Sequence, residues 1–254
     1  MVIHCPPFII HHFTTLGSTN DHLKGMMDAP EFTCVVADEQ TAGRGRRARA
    51  WHSSPSDGLY LSVLLRPQPE SASKIPLISL MAAIAVAETL IERSVGGVDI
   101  KWPNDVMVNQ RKISGILAEA ASAGSNPTRI ILGVGVNLNH ISFPPELTDT
   151  STSISIETGD QIVVDEFRDQ LLEKIRRWYE VWKRDDGGLI VNRWQQLSTY
   201  ARDERVVVTL DDEQIVGVTA GLTEAGALLL ITDDDEMKTI LAGEVTRLRI
   251  EDRG

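Results

Sequence analysis

The sequence contains little cysteine. Its 254 residues include two cysteines, Cys5 and Cys34, which are too far apart for a C-x-x-C motif. A small disulfide-stabilised fold and a cysteine-ligated zinc site are therefore excluded. The six histidines include no H-x-x-x-H or H-E-x-x-H pair, so a histidine zinc site is not expected either. This cysteine content fits a protein of the reducing cytoplasm.

Long hydrophobic runs are also missing. The most apolar stretch, residues 75–91, is interrupted by Pro76, Ser79, Glu88 and Thr89. It falls short of the roughly 18 apolar residues that a membrane-spanning helix requires. The residues at the N-terminus have no lysine or arginine ahead of their apolar positions and no small-residue cleavage pattern, so they do not predict a secretory signal. We expect a cytoplasmic protein without a membrane partner.

Basic residues are fewer than acidic ones. The chain carries 25 lysines and arginines against 36 aspartates and glutamates, which gives a formal net charge of −11. This balance does not predict a protein that binds DNA through a broad basic face. Hydrophobic residues make up 42% of the chain and charged residues 24%, which excludes disordered, collagen-like and coiled-coil proteins. The composition is that of an acidic globular protein.

The order of the apolar segments predicts an α+β fold. Residues 32–38 and 58–65 are short apolar runs typical of strands, and residues 74–94 form a long Ala/Leu/Ile segment typical of a helix. Further strands joined by tight turns are predicted at 98–102, 105–108, 112–121 and 129–136. Strands that follow one another through tight turns pair antiparallel, so we expect a mixed, largely antiparallel sheet with helices.

A second helix and a separate all-β segment are predicted after the sheet. Asp165 is the predicted N-cap of an amphipathic helix that covers the sheet. Its apolar face consists of Phe167, Leu171, Ile175, Trp178 and Trp182. Beyond residue 201 no helical stripe occurs, and short apolar runs lie at 206–210, 215–222, 227–232, 238–242 and 245–250. We expect a larger domain over residues 1–201 and a small β-barrel over 202–254.

The most unusual local composition lies in residues 40–51, with the sequence QTAGRGRRARAW. This segment, called the arginine loop below, has no acidic residue in a chain that is acidic overall. Gly43 and Gly45 permit close approach of a ligand, and a planar guanidinium group binds phosphate or carboxylate through paired donors. We therefore predict that the arginine loop binds an anion. Its arginines are Arg44, Arg46, Arg47 and Arg49.

Three interpretations of the arginine loop are open: the phosphate of a small ligand, nucleic acid, and a solvated loop without ligand. A dinucleotide-binding fingerprint matches in form at Gly43-x-Gly45-x-x-Ala48, but such a motif must open a helix. Here Trp51 and Pro55 follow instead, and no P-loop sequence occurs in the chain. We favour the phosphate of a small ligand, because a nucleic-acid site usually spreads over a basic face.

Further polar residues lie on the predicted strands. They belong to the motifs KWPND at 101–105, KISGIL at 112–117 and GVGVNLN at 133–139. Because an ammonium group is rarely buried without a partner, Lys112 at the start of an apolar strand predicts an anion nearby. Gly115 within that strand indicates close approach of a ligand or of another backbone. For Asn104, Asp105 and Asn137, a turn or a strand end is an equally adequate explanation.

Together these segments resemble the catalytic core of biotin protein ligases, in the same order and at family-like separations. The matching segments are Ser18-Thr19-Asn20, Gln40, GRGRR at 43–47, Trp51, KWPND at 101–105, KISGIL at 112–117 and GVGVNLN at 133–139. Ala48 and Ala50 depart from the pattern, because the family often has Gly and a polar residue there. The resemblance extends over nearly the whole chain. It implies a mixed-sheet core related to class II aminoacyl-tRNA synthetases and lipoate ligases, followed by an SH3-like β-barrel.

The resemblance also implies a role for each matching position. The biotin-binding residues would be Ser18, Thr19, Asn20, Gln40, Arg44, Gly45, Arg46, Lys112 and Gly115. The residues that bind ATP or the adenylate would be Arg46, Arg47, Arg49, Trp51, Asn104, Asp105 and Asn137. Lys112 and Arg46 would be catalytic, and Asp105 would bind Mg²⁺. Near the C-terminus the family's G-E-x-x-x-R pattern resembles Gly243-Glu244, with Arg247 or Arg249 in the arginine position.

A biotin protein ligase joins biotin to AMP with release of pyrophosphate, and then transfers biotin to a lysine of a biotin carboxyl carrier domain of acetyl-CoA carboxylase or a related carboxylase. The resemblance implies this activity for the chain, with biotin, ATP and the carrier domain as partners and a homodimer as one arrangement. A lipoate protein ligase of the same fold and a non-enzymatic biotin-binding or regulatory protein are the alternatives. Ser18 lies so near the start of the sequence that we expect no room for an N-terminal DNA-binding domain.

Overall fold

The computed structural model describes residues 1–121, 129–185, 187–210 and 213–247. The strands of its larger sheet are β1 Val2–Cys5, β2 Phe8–Leu16, β3 Thr33–Gln40, β4 Gly58–Leu65, β5 Val98–Lys101, β6 Asp105–Val108, β7 Arg111–Ala120 and β8 Ile130–Asn137. Their spatial order is β1-β2-β3-β4-β8-β7-β6-β5. Among these described strands β2 and β3 pair in parallel, and the other neighbours pair antiparallel. The predicted mixed, largely antiparallel sheet is confirmed.

The strand predictions differ in accuracy along the chain. Residues 58–65 and 105–108 form strands with the predicted bounds, and the other predicted strands of this sheet differ by one or two residues at one or both ends. The segment before residue 32 contains elements that the sequence pattern did not predict, namely β1, β2 and the short helix α1 Thr19–Gly25. Ser18 is the N-cap of α1, and its Oγ accepts a hydrogen bond from the Asp21 N–H at 3.4 Å.

Helix α2 Leu77–Glu92 lies at the centre of the core. It begins three residues later than predicted, with Pro76 at its N-cap. Apolar residues are buried around its whole circumference, so it requires cover on every side. The sheet covers one side, and two helices that follow it in the chain cover the other. The helices after the sheet are α3 Ile154–Thr158, α4 Val164–Arg184 and α5 Gly188–Leu197. None of the helices in the described residues is long and apolar enough to cross a membrane.

Two details predicted for α4 are wrong. The helix begins at Val164, so Asp165 lies in its first turn and Val163 occupies the N-cap. A carboxylate in the first turn is still favourable because the helix dipole is positive there, and Asp165 also contacts Arg168 at 2.5 Å. The predicted apolar face is buried, but it packs mainly against α2 and not directly against the sheet, because α2 lies between them.

The C-terminal residues form a second, antiparallel sheet of five strands. They are β9 Arg202–Thr209, β10 Gln214–Leu222, β11 Leu228–Thr232, β12 Met237–Ile240 and β13 Glu244–Arg247. Their order is β12-β11-β10-β9-β13. Each strand covers part of a predicted apolar run, and the end of the last run, residues 248–250, lies outside the described residues. Trp102 joins this sheet to the core, since its Nε1 donates a hydrogen bond to the Gly226 carbonyl at 3.0 Å.

The alternation of side chains along β4 separates the two faces of the larger sheet. Leu59, Leu61, Val63 and Leu65 belong to the core cluster that contains α2. Ser62 lies on the other face, where its Oγ donates a hydrogen bond to α1. Helix α1 contacts β3, β4 and β8 on this second face. The second face is therefore free of α2 and α4, and it carries the cavity described next.

Candidate active site

A cavity of about 550 Å³ opens on the second face of the larger sheet. Its walls come from α1, the arginine loop, strands β6 to β8 and residues of β13. Every site residue predicted from the sequence lines it: Ser18, Thr19, Asn20, Gln40, Arg44, Gly45, Arg46, Arg47, Arg49, Trp51, Asn104, Asp105, Lys112, Gly115 and Asn137. The structure thus brings these residues together, although they are spread over about half of the chain.

One end of the cavity is neutral and polar. The Thr19 N–H donates a hydrogen bond to Gln40 Oε1 at 2.8 Å, which fixes the orientation of the Gln40 amide. Ser62, which has no exposed surface, contacts the Thr19 hydroxyl at 2.8 Å and donates to Asn20 Oδ1 at 2.6 Å. This end presents hydroxyl and amide groups in fixed positions, so it can bind a neutral polar ring through directed hydrogen bonds.

Two glycines form the floor in the middle of the cavity. Gly115 on β7 and Gly135 on β8 are directly paired, and the Trp51 indole lies on them. A Cβ atom at Gly115 would lie 2.8 Å from the Trp51 ring, and one at Gly135 would lie 2.5 Å from it. Any side chain at either position would collide with the indole. The residues at these two positions must therefore be glycine for the aromatic ring to approach the sheet.

The arginine loop does not use its four guanidinium groups alike. Arg44 binds Asp21 at 2.5 Å and Glu119 at 3.2 Å, and Arg49 binds Glu244 with Nη1 to Oε1 at 2.9 Å. These two arginines therefore already have carboxylate partners within the protein. For Arg44, burial alone would lower the pKa, but the hydrogen bonds and charges of the two carboxylates raise it above its usual value.

Arg46 is the loop arginine that is partly buried towards the cavity. Its Nη1 donates to Asn104 Oδ1 at 3.3 Å, and Asn104 in turn donates to the Ile116 carbonyl at 2.7 Å. Burial, together with the neighbouring charge of Arg47, lowers the pKa of Arg46. A guanidinium group that is desolvated among other cations gains most from an anionic ligand. Arg47 has a positive φ of 54°, and its side chain is exposed at the rim.

Lys112 and Asp105 form the ion pair that the sequence predicted for a lysine in this position. Lys112 Nζ lies 2.7 Å from Asp105 Oδ1 and 5.4 Å from the centre of the Trp51 ring. Lys112 is only partly buried, with 33% of its side chain exposed, so its ammonium group reaches the cavity. Lys101 lies nearby, and burial lowers its pKa, which the charge of Asp105 partly opposes.

Asp105 is the residue predicted to bind Mg²⁺. Within the described parts of the chain, no group of three or more His, Cys, Asp or Glu side chains is placed to hold a metal ion. Mg²⁺ usually takes one or two carboxylates from a protein and keeps water and substrate phosphates as its other ligands. Asp105 fits the part of a single carboxylate, because its buried Oδ1 has the Lys112 contact but accepts no directed hydrogen bond from the described residues.

Two asparagines of the GVGVNLN motif, Asn137 and Asn139, hold the backbone of neighbouring segments in place. Asn137 lines the cavity, but its Nδ2 donates to the Thr152 carbonyl at 2.9 Å. Asn139 holds the next segment, since it donates to the Ile162 carbonyl and accepts from the Ile162 N–H. Both amides therefore fix the chain that follows β8.

Several residues of the site were not predicted from the sequence. Lys101, Tyr200 and Glu244 also line the cavity, and Glu119 and Ser62 contact residues that line it. Lys101 is the first residue of the KWPND motif and Glu244 belongs to the G-E-x-x-x-R pattern, but neither was given a role. No local pattern marks Tyr200, Glu119 or Ser62. Of the two C-terminal arginines, Arg247 lines the cavity with its guanidinium group 4.4 Å from the centre of the Tyr200 ring. Arg249 lies outside the described residues.

Comparisons with known proteins agree with this geometry. Residues 14–137 match the model of the Biotin/lipoate A/B protein ligase family, and residues 203–247 match that of the Biotin protein ligase C terminal domain. The chain is 34% identical to the bifunctional ligase/repressor BirA of Bacillus subtilis over 93% of its own length and 73% of that protein. It is 33% identical to the biotin--[acetyl-CoA-carboxylase] ligase of Paracoccus denitrificans over 77% of this chain and 82% of that protein.

The fold agrees with a solved structure as well. The biotin protein ligase of Aquifex aeolicus, in complex with biotin and ATP, superimposes with a TM-score of 0.82 at 30% identity, covering 94% of this chain and 98% of that chain. Both sheets, the cavity on the second face and the sequence relationships thus lead to one conclusion. The chain belongs to the biotin protein ligase family, which consists of ATP-dependent ligases.

Proposed function

We propose that the chain activates biotin with ATP to form biotinyl-5′-AMP and pyrophosphate, and transfers the biotin to a specific lysine of the biotin carboxyl carrier domain of a carboxylase such as acetyl-CoA carboxylase. The observation that carries the proposal is the division of one cavity into two chemically different ends. Neutral hydrogen-bonding groups lie at Thr19 and Gln40, and cations lie at Arg46 and Lys112. Such a cavity fits a molecule with a neutral polar ring and an acid group at the end of a chain.

In the proposed complex, biotin lies in the cavity with its ring towards α1. The ureido group of the ring would bind Ser18, Thr19 and Gln40, whose polar atoms are fixed by the hydrogen bonds described above. The acid group would then reach Arg46 and Lys112. The nucleotide would lie on the side of Asn104 and Asp105, with the Trp51 ring beside the adenine.

The first step brings two anions together. A carboxylate oxygen of biotin attacks the α-phosphorus of ATP, an O–P bond forms, and the bond between the α-phosphorus and the bridging oxygen breaks, with its electron pair leaving on pyrophosphate. Negative charge grows on the phosphoryl oxygens, and cations already in place stabilise it without reorganisation. Lys112 and Arg46 supply this charge. Mg²⁺ held by Asp105 would neutralise the departing pyrophosphate.

The second step uses the acceptor lysine as nucleophile. Its neutral amine attacks the carbonyl carbon of the mixed anhydride, an amide bond forms, AMP leaves, and the amine loses a proton. No nucleophile from the ligase is needed. In agreement with this, no cysteine is found among the described residues that line the cavity, and Cys34 is buried in the core cluster that contains α2. A thioester intermediate of the kind used by related acyl transferases is therefore not part of the proposal.

Three further points belong to the proposal. Residues 1–201 would form the catalytic domain, and residues 202–254 would support its nucleotide side.

The protein would work in the cytoplasm, which the low cysteine content of the sequence supports. A homodimer would be its assembly, and sedimentation at increasing concentrations would detect it.

The test is the exchange of labelled pyrophosphate into ATP with biotin or lipoate as the acid. We expect exchange with biotin and none with lipoate, followed by transfer of biotin to a purified carrier domain. Exchange with lipoate alone would assign the chain to the lipoate ligases instead. Binding of biotin without any exchange would show a non-enzymatic binding protein and refute the proposal.

A further inference from the structure

Glu119, a residue that does not line the cavity, contacts two residues that do. It lies near the end of β7 with 23% of its side chain exposed. Its Oε2 accepts a hydrogen bond from Asn20 Nδ2 at 2.7 Å. Both of its carboxylate oxygens also accept from Arg44, each at 3.2 Å. One carboxylate therefore joins α1, which carries the polar end of the cavity, to the start of the arginine loop.

The Asn20 amide has a defined orientation because of this contact. Ser62 Oγ donates to Asn20 Oδ1 at 2.6 Å, and the amide lies so close to the sheet that a Cβ atom at Gly133 would come within 2.4 Å of Oδ1. If the amide were turned over, its oxygen would face the Glu119 carboxylate at hydrogen-bond distance. Two acceptors so close repel each other, so Glu119 excludes that orientation.

Arg44 is held at the same time. Two nitrogens of its guanidinium group face the two oxygens of Glu119, which is the paired geometry that gives arginine–carboxylate contacts their directionality. The next residue of the loop is also fixed, since the Gly45 N–H donates to the Arg49 carbonyl at 2.7 Å. Arg44 therefore attaches the arginine loop to β7 and to α1 next to the polar end of the cavity.

We infer that Glu119 is a positioning residue for biotin, which acts through Asn20 and Arg44 and keeps the polar end of the cavity in the geometry that binds the ring. This inference rests on the proposed function, because it takes biotin to be the molecule at that end. Lys112 and Arg46 do not contact Glu119. Loss of the carboxylate therefore weakens biotin binding and leaves the chemical step intact.

The experiment compares steady-state pyrophosphate exchange by the wild type and by Glu119→Gln, with biotin varied at saturating ATP. We expect KM for biotin to rise roughly tenfold, the effect of losing one charge-assisted hydrogen-bond pair, while kcat stays within about twofold of the wild type. Glu173→Gln is the matched control, because Glu173 binds Arg176 through two hydrogen bonds on the exposed side of α4. That variant leaves both constants unchanged.

Arg44→Gln removes the same ion pair from its more exposed side and serves as the second variant. Both single changes remove the Arg44–Glu119 pair, and Arg44→Gln also removes the contact with Asp21. Because the pair is shared, the double variant Glu119→Gln/Arg44→Gln raises KM by less than the product of the two single effects. If Glu119→Gln is too unstable to assay, Glu119→Asp replaces it, because the shorter side chain moves the carboxylate away from Asn20 and Arg44, and an unchanged KM overturns the inference.

A purely structural role of Glu119 would give a different result, namely a lower kcat with an unchanged KM, because a fraction of the enzyme would be unfolded. This result, or a KM within about twofold of the wild type, overturns the inference. The two failures can be told apart. Absence of biotin-dependent exchange in the wild type refutes the proposed function, whereas normal exchange with an insensitive Glu119→Gln variant refutes only the role of Glu119.

Discussion

Arg49 and Glu244 lie 195 positions apart in the chain and form an ion pair with two hydrogen bonds, Nη1 to Oε1 at 2.9 Å and Nη2 to Oε2. The first residue belongs to the arginine loop and the second to the start of β13 in the C-terminal sheet. Hydrogen bonding to Arg49 lowers the pKa of Glu244, and the same contact raises the pKa of Arg49. The C-terminal sheet therefore fixes the far end of the loop that covers the cavity.

The substitution Glu244→Gln tests this connection. The pair is largely exposed, so it contributes at most about 1 kcal/mol to stability, and we expect the unfolding midpoint to change little. Since the loop loses its attachment on the nucleotide side, we expect KM for ATP to rise about fivefold and KM for biotin to change less than about twofold. Steady-state pyrophosphate exchange with each substrate varied separately measures both constants.

The control for Glu244→Gln is Asp233→Asn, because Asp233 forms the same kind of two-bond ion pair with Arg205 on the exposed surface of the C-terminal sheet. It leaves both KM values unchanged. An equal rise of KM for ATP in the two variants would mean that the effect comes from the charge of the sheet and not from the loop attachment.

The glycine floor gives a second testable consequence. In Gly135→Ala the new Cβ would lie 2.5 Å from the Trp51 indole, so the ring has to move away from the sheet. We expect KM for ATP to rise roughly tenfold or more, since stacking on an aromatic ring contributes about 1–3 kcal/mol to the binding of a base. Gly96→Ala is the control, because no atom lies within 4 Å of the position of its Cβ. An equal KM for ATP in the two variants would contradict the role of the paired glycines in placing the Trp51 ring.

Lys112→Ala separates binding from chemistry. The ammonium group lies beside Asp105 at the cationic end of the cavity, away from the polar groups proposed for the biotin ring. We expect biotin still to bind in a calorimetric titration, because the groups proposed for its ring at Thr19 and Gln40 are unchanged. Formation of the adenylate should fall roughly a hundredfold, the usual effect of removing one group that stabilises developing charge. Turnover equal to that of the wild type would refute the catalytic role of Lys112.

His140 gives an expectation for pH. Its side chain has almost no exposed surface, and burial lowers its pKa, an effect that nearby Asp57 partly opposes and His52 reinforces. The unfolded chain therefore binds a proton at this position more readily than the folded protein does. Its contribution to stability is present above the unfolded pKa near 6.5 and is lost as the pH falls through the folded pKa.

Denaturant unfolding between pH 5 and pH 8 measures this contribution. We expect the free energy of unfolding of the wild type to fall with decreasing pH more steeply than that of His140→Gln, by up to about 1.4 kcal/mol for each pH unit in that window. The other histidines are present in both proteins, so the difference between the two curves isolates His140. Parallel curves would show that His140 titrates alike in the folded and unfolded protein.

The sequence predicted the parts of the fold that local patterns determine. The strand at residues 58–65 is an apolar run in which Ser62 is the one hydroxyl-bearing aliphatic residue, and its predicted bounds are those of β4. Helix α1 was missed because its seven residues bury mainly Leu23 in addition to polar groups, which gives no apolar stripe. The predicted N-cap of α4, Asp165, lies two residues after the true one, Val163, because an acidic residue is favourable in the first turn as well as at the N-cap.

The cavity was predictable to the extent that its residues lie in short motifs. The resemblance named every lining residue of the arginine loop except Ala50, together with the lysine of β7. It did not name Glu119, and it included Glu244 in the G-E-x-x-x-R pattern without giving it a role, because each acts on an arginine that lies 75 or 195 positions away in the chain. Such contacts are determined by the pairing of strands and sheets and follow only from the three-dimensional structure.

The paired glycines Gly115 and Gly135 also limit how the enzyme can be redesigned. A pocket is normally enlarged by shortening side chains on its floor, but a glycine has no side chain to shorten. Room for a bulkier vitamin analogue would have to be made at the Trp51 indole, which lies on the two glycines, or at the side walls of the cavity. Libraries aimed at altered acid specificity should therefore leave the two strands untouched and vary the residues that face them.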